Sequence, residues 1–428
     1  MIFPSEPRPE RRDRPDPRPE LLCPAGDWER LTAAVAYGAD AVYLGGTEFG
    51  MRSAPENFSE EALPEAVAFC HERGVKVHLT CNTVPRNDEL DRLPSFLERA
   101  QEAGVDALII ADLGVLELAR KHAPEVDIHM STQAGVVNYL TAMALYERGV
   151  KRVVMAREVS LAEIAEIRSR IPDDLEIECF VHGAMCMSFS GRCLLSNYLT
   201  GRDSNRGSCA QPCRWRYHLM EEKRPGEYFE LTEDEHGTYF MNSKDMCMID
   251  HIPELVEAGV SSFKIEGRAK SAFYVAAVTN AYRAAIDGYR SDPRPDYHPE
   301  SWILDEMGKI SYRDYCTGFY FGDPRDDAKL FYDGIYIRNW DVMANVLAAD
   351  GDVLTVTQRN RFFEGDTFEV MRPGKPPMEI RATALFNEEG ERVQSAPNPM
   401  ATIRIVCDRP AGEIPAGSVL RMPVASRQ

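Results

Sequence analysis

The strongest constraint in this chain is a joint that recurs five times. A segment of helical hydrophobic period ends on a glycine, an apolar residue follows, and a short apolar run begins: Gly38-Ala39-Asp40-Ala41, Gly74-Val75, Gly104-Val105-Asp106-Ala107, Gly149-Val150 and Gly259-Val260. Glycine at a helix C-terminus takes the left-handed conformation that other residues resist. Apolar runs read as strands at Leu21–Ala25, Ala41–Gly45, Lys76–Cys81, Ala107–Ala111, Ile128–Thr132, Arg152–Ala156, Glu176–His182, Tyr239–Asn242 and Ser262–Ile265. Segments between them, such as Trp28–Tyr37 and Leu161–Ile171, carry apolar residues at helical spacing. Strand, helix and strand in repetition imply parallel strands with right-handed crossovers. About eight such units close a (β/α)8, TIM-like barrel, and the ninth candidate strand is expected outside it. An open doubly wound sheet is the alternative, but no GxGxxG follows a strand, which disfavours a dinucleotide site.

The pattern divides the chain. Residues 1–19 are rich in proline and arginine and read as a flexible tail; residues 20–290 carry the barrel, with a cysteine-rich insertion at about 183–240. Residues 291–332 read as a linker, because their first ten residues are proline- and charge-rich. Residues 333–428 show short alternating runs between glycine turns, and predict a small all-β barrel. No run of 18 apolar residues predicts a membrane span, and the N-terminus lacks the apolar core of a signal peptide. A cytoplasmic location is therefore expected, where structural disulfides are rare. The eleven cysteines then read as metal ligands, reactive thiols or small core residues. A net charge of −19 argues against a protein that coats nucleic acid, but not against a local basic face.

In a barrel, function gathers at the C-terminal ends of the strands. Five cysteines, Cys179, Cys186, Cys193, Cys209 and Cys213, fall between Glu178 and Arg216, together with five arginines. Thiolates bind soft metals, and loosely spaced, glycine-rich cysteines suit an iron–sulfur cluster better than a zinc ribbon, whose CxxC pairs are absent. Cys247 follows a strand end and is a candidate distant ligand; Cys179 lies in an alternating strand and reads as packing, as do Cys23, Cys70, Cys81, Cys316 and Cys407. His182 ends a strand and is a candidate acid or base, against the plainer reading of a histidine held by backbone groups. Lys264, Glu266 and Arg268, followed by Lys270, end another strand; they suit a carboxylate or phosphate, or a surface ion pair. Tyr43 to Gly46, with Arg52, allow close approach of a ligand or form a simple turn. Arginines from Arg192 to Arg216, including Arg206 and Arg214, stand among Phe189, Tyr198, Trp215 and Tyr217. Arginine beside aromatic rings is what single-stranded RNA recognition needs; a solvated loop over core aromatics is the alternative.

Several of these stretches resemble the collagenase-like peptidase U family: Leu22-Cys23-Pro24-Ala25-Gly26, Phe180-Val181-His182-Gly183-Ala184-Met185-Cys186, Ser190-Gly191-Arg192-Cys193, Asn205 to Arg214 and Lys264-Ile265-Glu266-Gly267-Arg268. The resemblance runs from about Leu21 to the C-terminus, and the long form is similar to the branch that makes 5-hydroxyuridine at the wobble position of tRNA. It implies an RNA-modifying hydroxylase with a 4Fe-4S cluster on Cys186, Cys193, Cys209 and Cys247, with Cys213 a near neighbour. It also implies prephenate, a small dicarboxylate, as required metabolite; Arg268 or Arg52 is the arginine expected to pair with its carboxylates. His182 and Glu266 are the candidate catalytic groups, and Lys264, Arg206 and Arg214 complete the expected substrate contacts. tRNA is the expected macromolecular partner, and an oligomer, with itself or with a paralogue, is part of the expectation. Two other readings are carried: a thiol- or metal-dependent peptidase using Cys186 with His182, and a non-catalytic RNA-binding module with a structural metal.

Overall fold

The structure, a computed structural model, describes residues 19–51, 57–186, 188–215, 232–234, 237–239, 244–322 and 336–424. Seven strands follow one another with helices between: β1 (Glu20–Pro24), β2 (Ala41–Gly45), β3 (Lys76–Cys81), β4 (Ala107–Ile110), β5 (Asp127–Met130), β6 (Arg152–Val154) and β7 (Glu176–Ala184). After β8 (Thr232–Asp234), β9 (Gly237–Tyr239) and β10 (Asp245–Cys247) comes β11 (Ser262–Ile265), which pairs in parallel with both β7 and β1. Eight parallel strands therefore close on themselves, and the TIM-like barrel is confirmed. The surplus strand expected at Tyr239–Asn242 is no stave: Tyr239 ends a β8–β9 hairpin, and residues 240–243 lie outside the described part. A short β10 instead pairs antiparallel with the end of β7, and β12 (Tyr315–Cys316) continues that edge.

The recurring joint does two jobs. All five of its glycines, from Gly38 to Gly259, have positive φ, between 71° and 100°. Its aspartates stitch neighbouring strands: Leu21 N donates to Asp40 Oδ2 at 2.9 Å and Val77 N to Asp106 Oδ2 at 2.7 Å. Each carboxylate accepts from the amide of the second residue of the preceding strand, which fixes register where the helix hands over to the sheet. Helix starts are capped as the sequence demands. Asp27 caps α1 (Trp28–Ala36), and Ser160 with Glu163 forms a capping box on α6 (Leu161–Arg170).

The lumen is polar at its N-terminal end. Arg152 on β6 reaches Glu20 on β1 at 2.5 Å, three staves away, and also Glu178 at 3.0 Å. Only a path through the interior joins those strands. Burial pushes the Glu20 carboxyl up, but the Arg152 guanidinium overrides it and holds the group at about 2.

The C-terminal domain is the expected β barrel. Its sheet runs β16 (Thr367–Arg372), β21 (Val419–Pro423), β13 (Trp340–Asp350), β14 (Val353–Gln358), β20 (Thr402–Cys407), β17 (Lys375–Phe386) and β18 (Arg392–Val393), and a β16–β17 pairing closes it. Residues 291–322, the described part of the expected linker, are not a spacer. They carry α10 (Ser301–Glu306) and β12, and Ile303, Met307, Ile310, Cys316 and Tyr320 belong to the barrel core. This stretch folds back on the barrel through its aromatic run Tyr312–Phe321, in which Cys316 and Tyr320 are buried. It also joins the domains: Arg421, fully buried, donates from Nη1 to Glu306 Oε2 at 2.7 Å, and from Nε to Glu369 Oε1 at 2.8 Å.

Candidate nucleic-acid interface at the barrel mouth

Arg268, just beyond β11, is buried to 2% exposure across the C-terminal ends of β2 and β3. Its guanidinium donates to Asn57 Oδ1 and, at 3.3 Å, to Thr80 Oγ1. Glycines make the room: a Cβ on Gly45 would collide with the Arg268 guanidinium, and one on Gly26 with the Arg268 carbonyl. The expected Gly-Gly turn after β2 is thus a seat for an arginine from a distant strand. Arg52, the other arginine expected there, lies outside the described residues.

Arg157, after β6, places its guanidinium carbon over the Phe180 ring, 4.0 Å from the centroid, and stands 3.7 Å from Glu266. The mouth thus carries two buried arginines from different strand ends, one of them stacked on an aromatic ring beside a partly exposed carboxylate. Glu266 keeps its expected place. Arg157 is marked in the sequence only by its polar position after an apolar run, and Asn57 by nothing, because no local signal identifies a loop residue that seats an arginine from beyond β11.

Lys264 is not at the mouth. Its Nζ donates to Glu178 Oε1 at 2.7 Å inside the lumen, with the Tyr43 ring 4.7 Å away. It is one residue pair deeper than Glu266 and belongs to the buried ion network. His182 is also displaced. The β7–β11 register slips between Lys264/Phe180 and Ile265/His182, so two β7 residues face one of β11. That bulge turns the histidine out of the lumen into a cage of Tyr274, Tyr282 and Tyr315, with ring centroids at 5.9, 5.6 and 5.4 Å. Burial pushes its pKa down to about 3, and neither ring nitrogen has a hydrogen-bond partner among the described residues. Its contribution to the mouth is its carbonyl, which accepts the Glu266 amide at 2.9 Å.

The insertion lies over the mouth and is tied to three strand ends. Glu158 after β6 accepts from Ser190 N at 2.7 Å and Ser190 Oγ at 3.0 Å. Val84 beyond β3 donates its amide to Asn205 O, and Phe189 rests beside Gly135 beyond β5. Arg206, expected to face the substrate, instead pairs with Glu89 at 2.6 Å and holds the insertion down. The Arg214 side chain lies outside the described residues. Arg192 and Arg202 are exposed, and so are Phe189, Tyr198 and Trp215, at 54, 81 and 43%.

The cysteines divide as the sequence suggests. Cys23, Cys70, Cys81, Cys179, Cys316 and Cys407 are buried, whereas Cys186, Cys193, Cys209, Cys213 and Cys247 are exposed or partly so. The sulfurs of Cys193 and Cys209 accept amides two residues on, from Leu195 at 3.4 Å and Gln211 at 3.3 Å. Such N–H to sulfur bonds suit ligand thiolates. Convergence is lacking, however: among the described residues no three His, Cys, Asp or Glu side chains gather to hold a metal. Cys247 stays on β10 opposite His182, its thiol pushed up to about 11 by burial, 4.0 Å from the Tyr282 hydroxyl. The donor types fit an iron–sulfur cluster, but this arrangement does not bring the four thiols together.

Comparison with known proteins places this geometry in a lineage. The profile of peptidase family U32 matches residues 26–329, and that of the family's C-terminal domain matches residues 338–421. The chain belongs to peptidase family U32. Among its relatives, tRNA hydroxylation protein P1 of Bacillus subtilis is 39% identical over 394 residues, covering 92% of each chain. The tRNA hydroxylation protein P of Escherichia coli is 36% identical over 427 residues, covering 90% of this chain and 93% of its own. A collagenase of Porphyromonas gingivalis is 34% identical over 313 residues, covering 71% of this chain and 73% of its own. This U32 chain thus shares its full domain arrangement with proteins named for RNA hydroxylation. Among its described residues no helix is long and apolar enough to cross a membrane.

Proposed function

We propose that this U32 protein is a tRNA hydroxylase that forms 5-hydroxyuridine at the wobble position, in the cytoplasm. The observation that carries the reading is the pairing of two surfaces at one barrel end. The insertion presents Phe189, Tyr198 and Trp215 beside Arg192 and Arg202. Beneath it the mouth holds Arg157 over the Phe180 ring, with Glu266 beside Arg157 and Arg268 at the ends of β2 and β3. Exposed rings stack unpaired bases and arginines meet phosphates, while a mouth floored by an aromatic ring accepts a base turned out of its strand. Relatives named for tRNA hydroxylation, 39 and 36% identical over nearly the whole chain, support the same reading. Arg157 and Arg268 bind and orient; Glu266 is placed to accept a hydrogen bond from the base.

A 4Fe-4S cluster and prephenate enter the proposal from the family resemblance. Side chains alone do not oxidise a pyrimidine carbon; a bound cluster would supply the electron transfer, and the resemblance implies Cys186, Cys193, Cys209 and Cys247 as its ligands. A peptidase using Cys186 and His182 has less support, because the thiol is exposed and the imidazole is enclosed by three tyrosines, with no hydrogen bond between them among the described residues.

Nucleoside mass spectrometry of tRNA from a deletion strain tests the proposal. Wobble 5-hydroxyuridine and its derivatives should vanish, return with the wild-type gene, and stay absent with Cys193→Ser. Anaerobically purified protein should contain about four irons per chain and absorb near ~400 nm. An unchanged nucleoside profile in the deletion strain would refute the tRNA reading.

A further inference from the structure

A cleft of about 820 Å³ lies between the barrel and the C-terminal domain. Its barrel wall is α1 and the start of α9 (Ala272–Ser291), with Arg30, Lys270 and Tyr274; its other wall carries Tyr336, Arg338 and Trp340. The cleft is continuous with the mouth, since Glu266 lines it and also faces Arg157. The walls are held in place by the buried Arg421–Glu306 contact and by the Tyr37 hydroxyl, which donates to Gly417 O at 3.1 Å.

The cations in this cleft are not equivalent. Arg30 is paired with Asp27, and Arg338 with Asp341 at 2.5 Å. Lys270 has no carboxylate within salt-bridge distance among the described residues. Its Nζ sits 3.8 Å from the Tyr336 ring centroid and 5.0 Å from that of Tyr274. An ammonium braced on two rings keeps its charge available for an anion. Cations interleaved with aromatic rings, in a groove opening from a base-sized mouth, match the requirements of single-stranded nucleic acid.

We infer that this cleft binds the single-stranded segment of the RNA substrate that flanks the modified nucleotide, with a phosphate on Lys270 and a base against Tyr336 or Trp340. The inference rests on the RNA-modifying reading and assigns the C-terminal domain a direct part in substrate binding.

The test is fluorescence anisotropy of the full chain with a labelled single-stranded RNA of about ten nucleotides, across a salt series. Lys270→Ala should weaken binding about five- to tenfold and lower the slope of log affinity against log salt by about 0.7, the share of one phosphate contact. Lys270→Arg should restore the slope, which a purely structural role would not predict. Wild-type affinity and slope in Lys270→Ala would overturn the inference, as would weakened binding with an unchanged slope. If the deletion strain loses 5-hydroxyuridine while Lys270→Ala binds RNA normally, the cleft assignment fails and the hydroxylase reading stands. If tRNA nucleosides are unchanged in the deletion strain but Lys270 still governs RNA affinity, the hydroxylase reading fails and the cleft is an RNA site of another activity.

Discussion

Arg268 occupies its position because Gly45 and Gly26 leave it room. The guanidinium is held there by hydrogen bonds to Asn57 and Thr80, and a Cβ on Gly45 would fall on it. Gly45→Ala should therefore displace Arg268 rather than be absorbed. We expect a stability loss of about 1–3 kcal/mol, as for other overpacked sites. Modification of tRNA, measured by nucleoside mass spectrometry in a complemented deletion strain, should fall much further than that loss of stability explains. Retention of full modification would show that Arg268 does not serve the mouth. His182 teaches the complementary lesson at the same scale. Its side chain follows strand alternation in the sequence, yet one bulge in β7 sends it into the tyrosine cage.

At the scale of elements, the insertion depends on few anchors. Its main tie to β6 is Glu158, which accepts two hydrogen bonds from Ser190. The Arg206–Glu89 pair is partly exposed and should add no more than about 1 kcal/mol. Glu158→Ala is expected to free residues 188–206 while leaving the barrel intact. Hydrogen exchange should rise in that segment alone, with the global melting temperature unchanged within a degree or two. Uniform acceleration across the barrel would show that the insertion is an integral part of the core.

At the scale of the whole molecule, the two domains are coupled through a buried charge. Arg421 is fully buried, and its guanidinium meets Glu306 of α10 and Glu369 of β16. Removing one carboxylate leaves a buried charge only partly compensated, which typically costs about 3–5 kcal/mol. Glu306→Ala should lower the denaturation midpoint by that amount and weaken RNA binding through the interdomain cleft. The double variant Glu306→Leu with Arg421→Met should recover most of the stability, since a packed apolar pair avoids the desolvation cost. Failure of the double variant to recover would mean that Glu306 acts through contacts other than Arg421.

The sequence by itself determined the barrel and the β domain. Glycine joints, aspartate stitches and alternating apolar runs are local signals, and each acts within a few residues of where it is read. It also separated core cysteines from accessible ones: isolated cysteines, and Cys179 in its alternating strand, are buried, whereas those clustered in the glycine-rich insertion are accessible. What only the tertiary structure decided is which side chains meet. Gly45 and Arg268 are brought together by barrel closure, Arg206 reaches Glu89 across the mouth, and Lys264 joins Glu178 in the lumen. The described part of the expected linker, through Ile303 to Tyr320, became part of the core, and the barrel and the β domain together form a cleft that neither has alone. These outcomes depend on contacts between residues far apart in the chain, and hydrophobic period carries no information about such pairs.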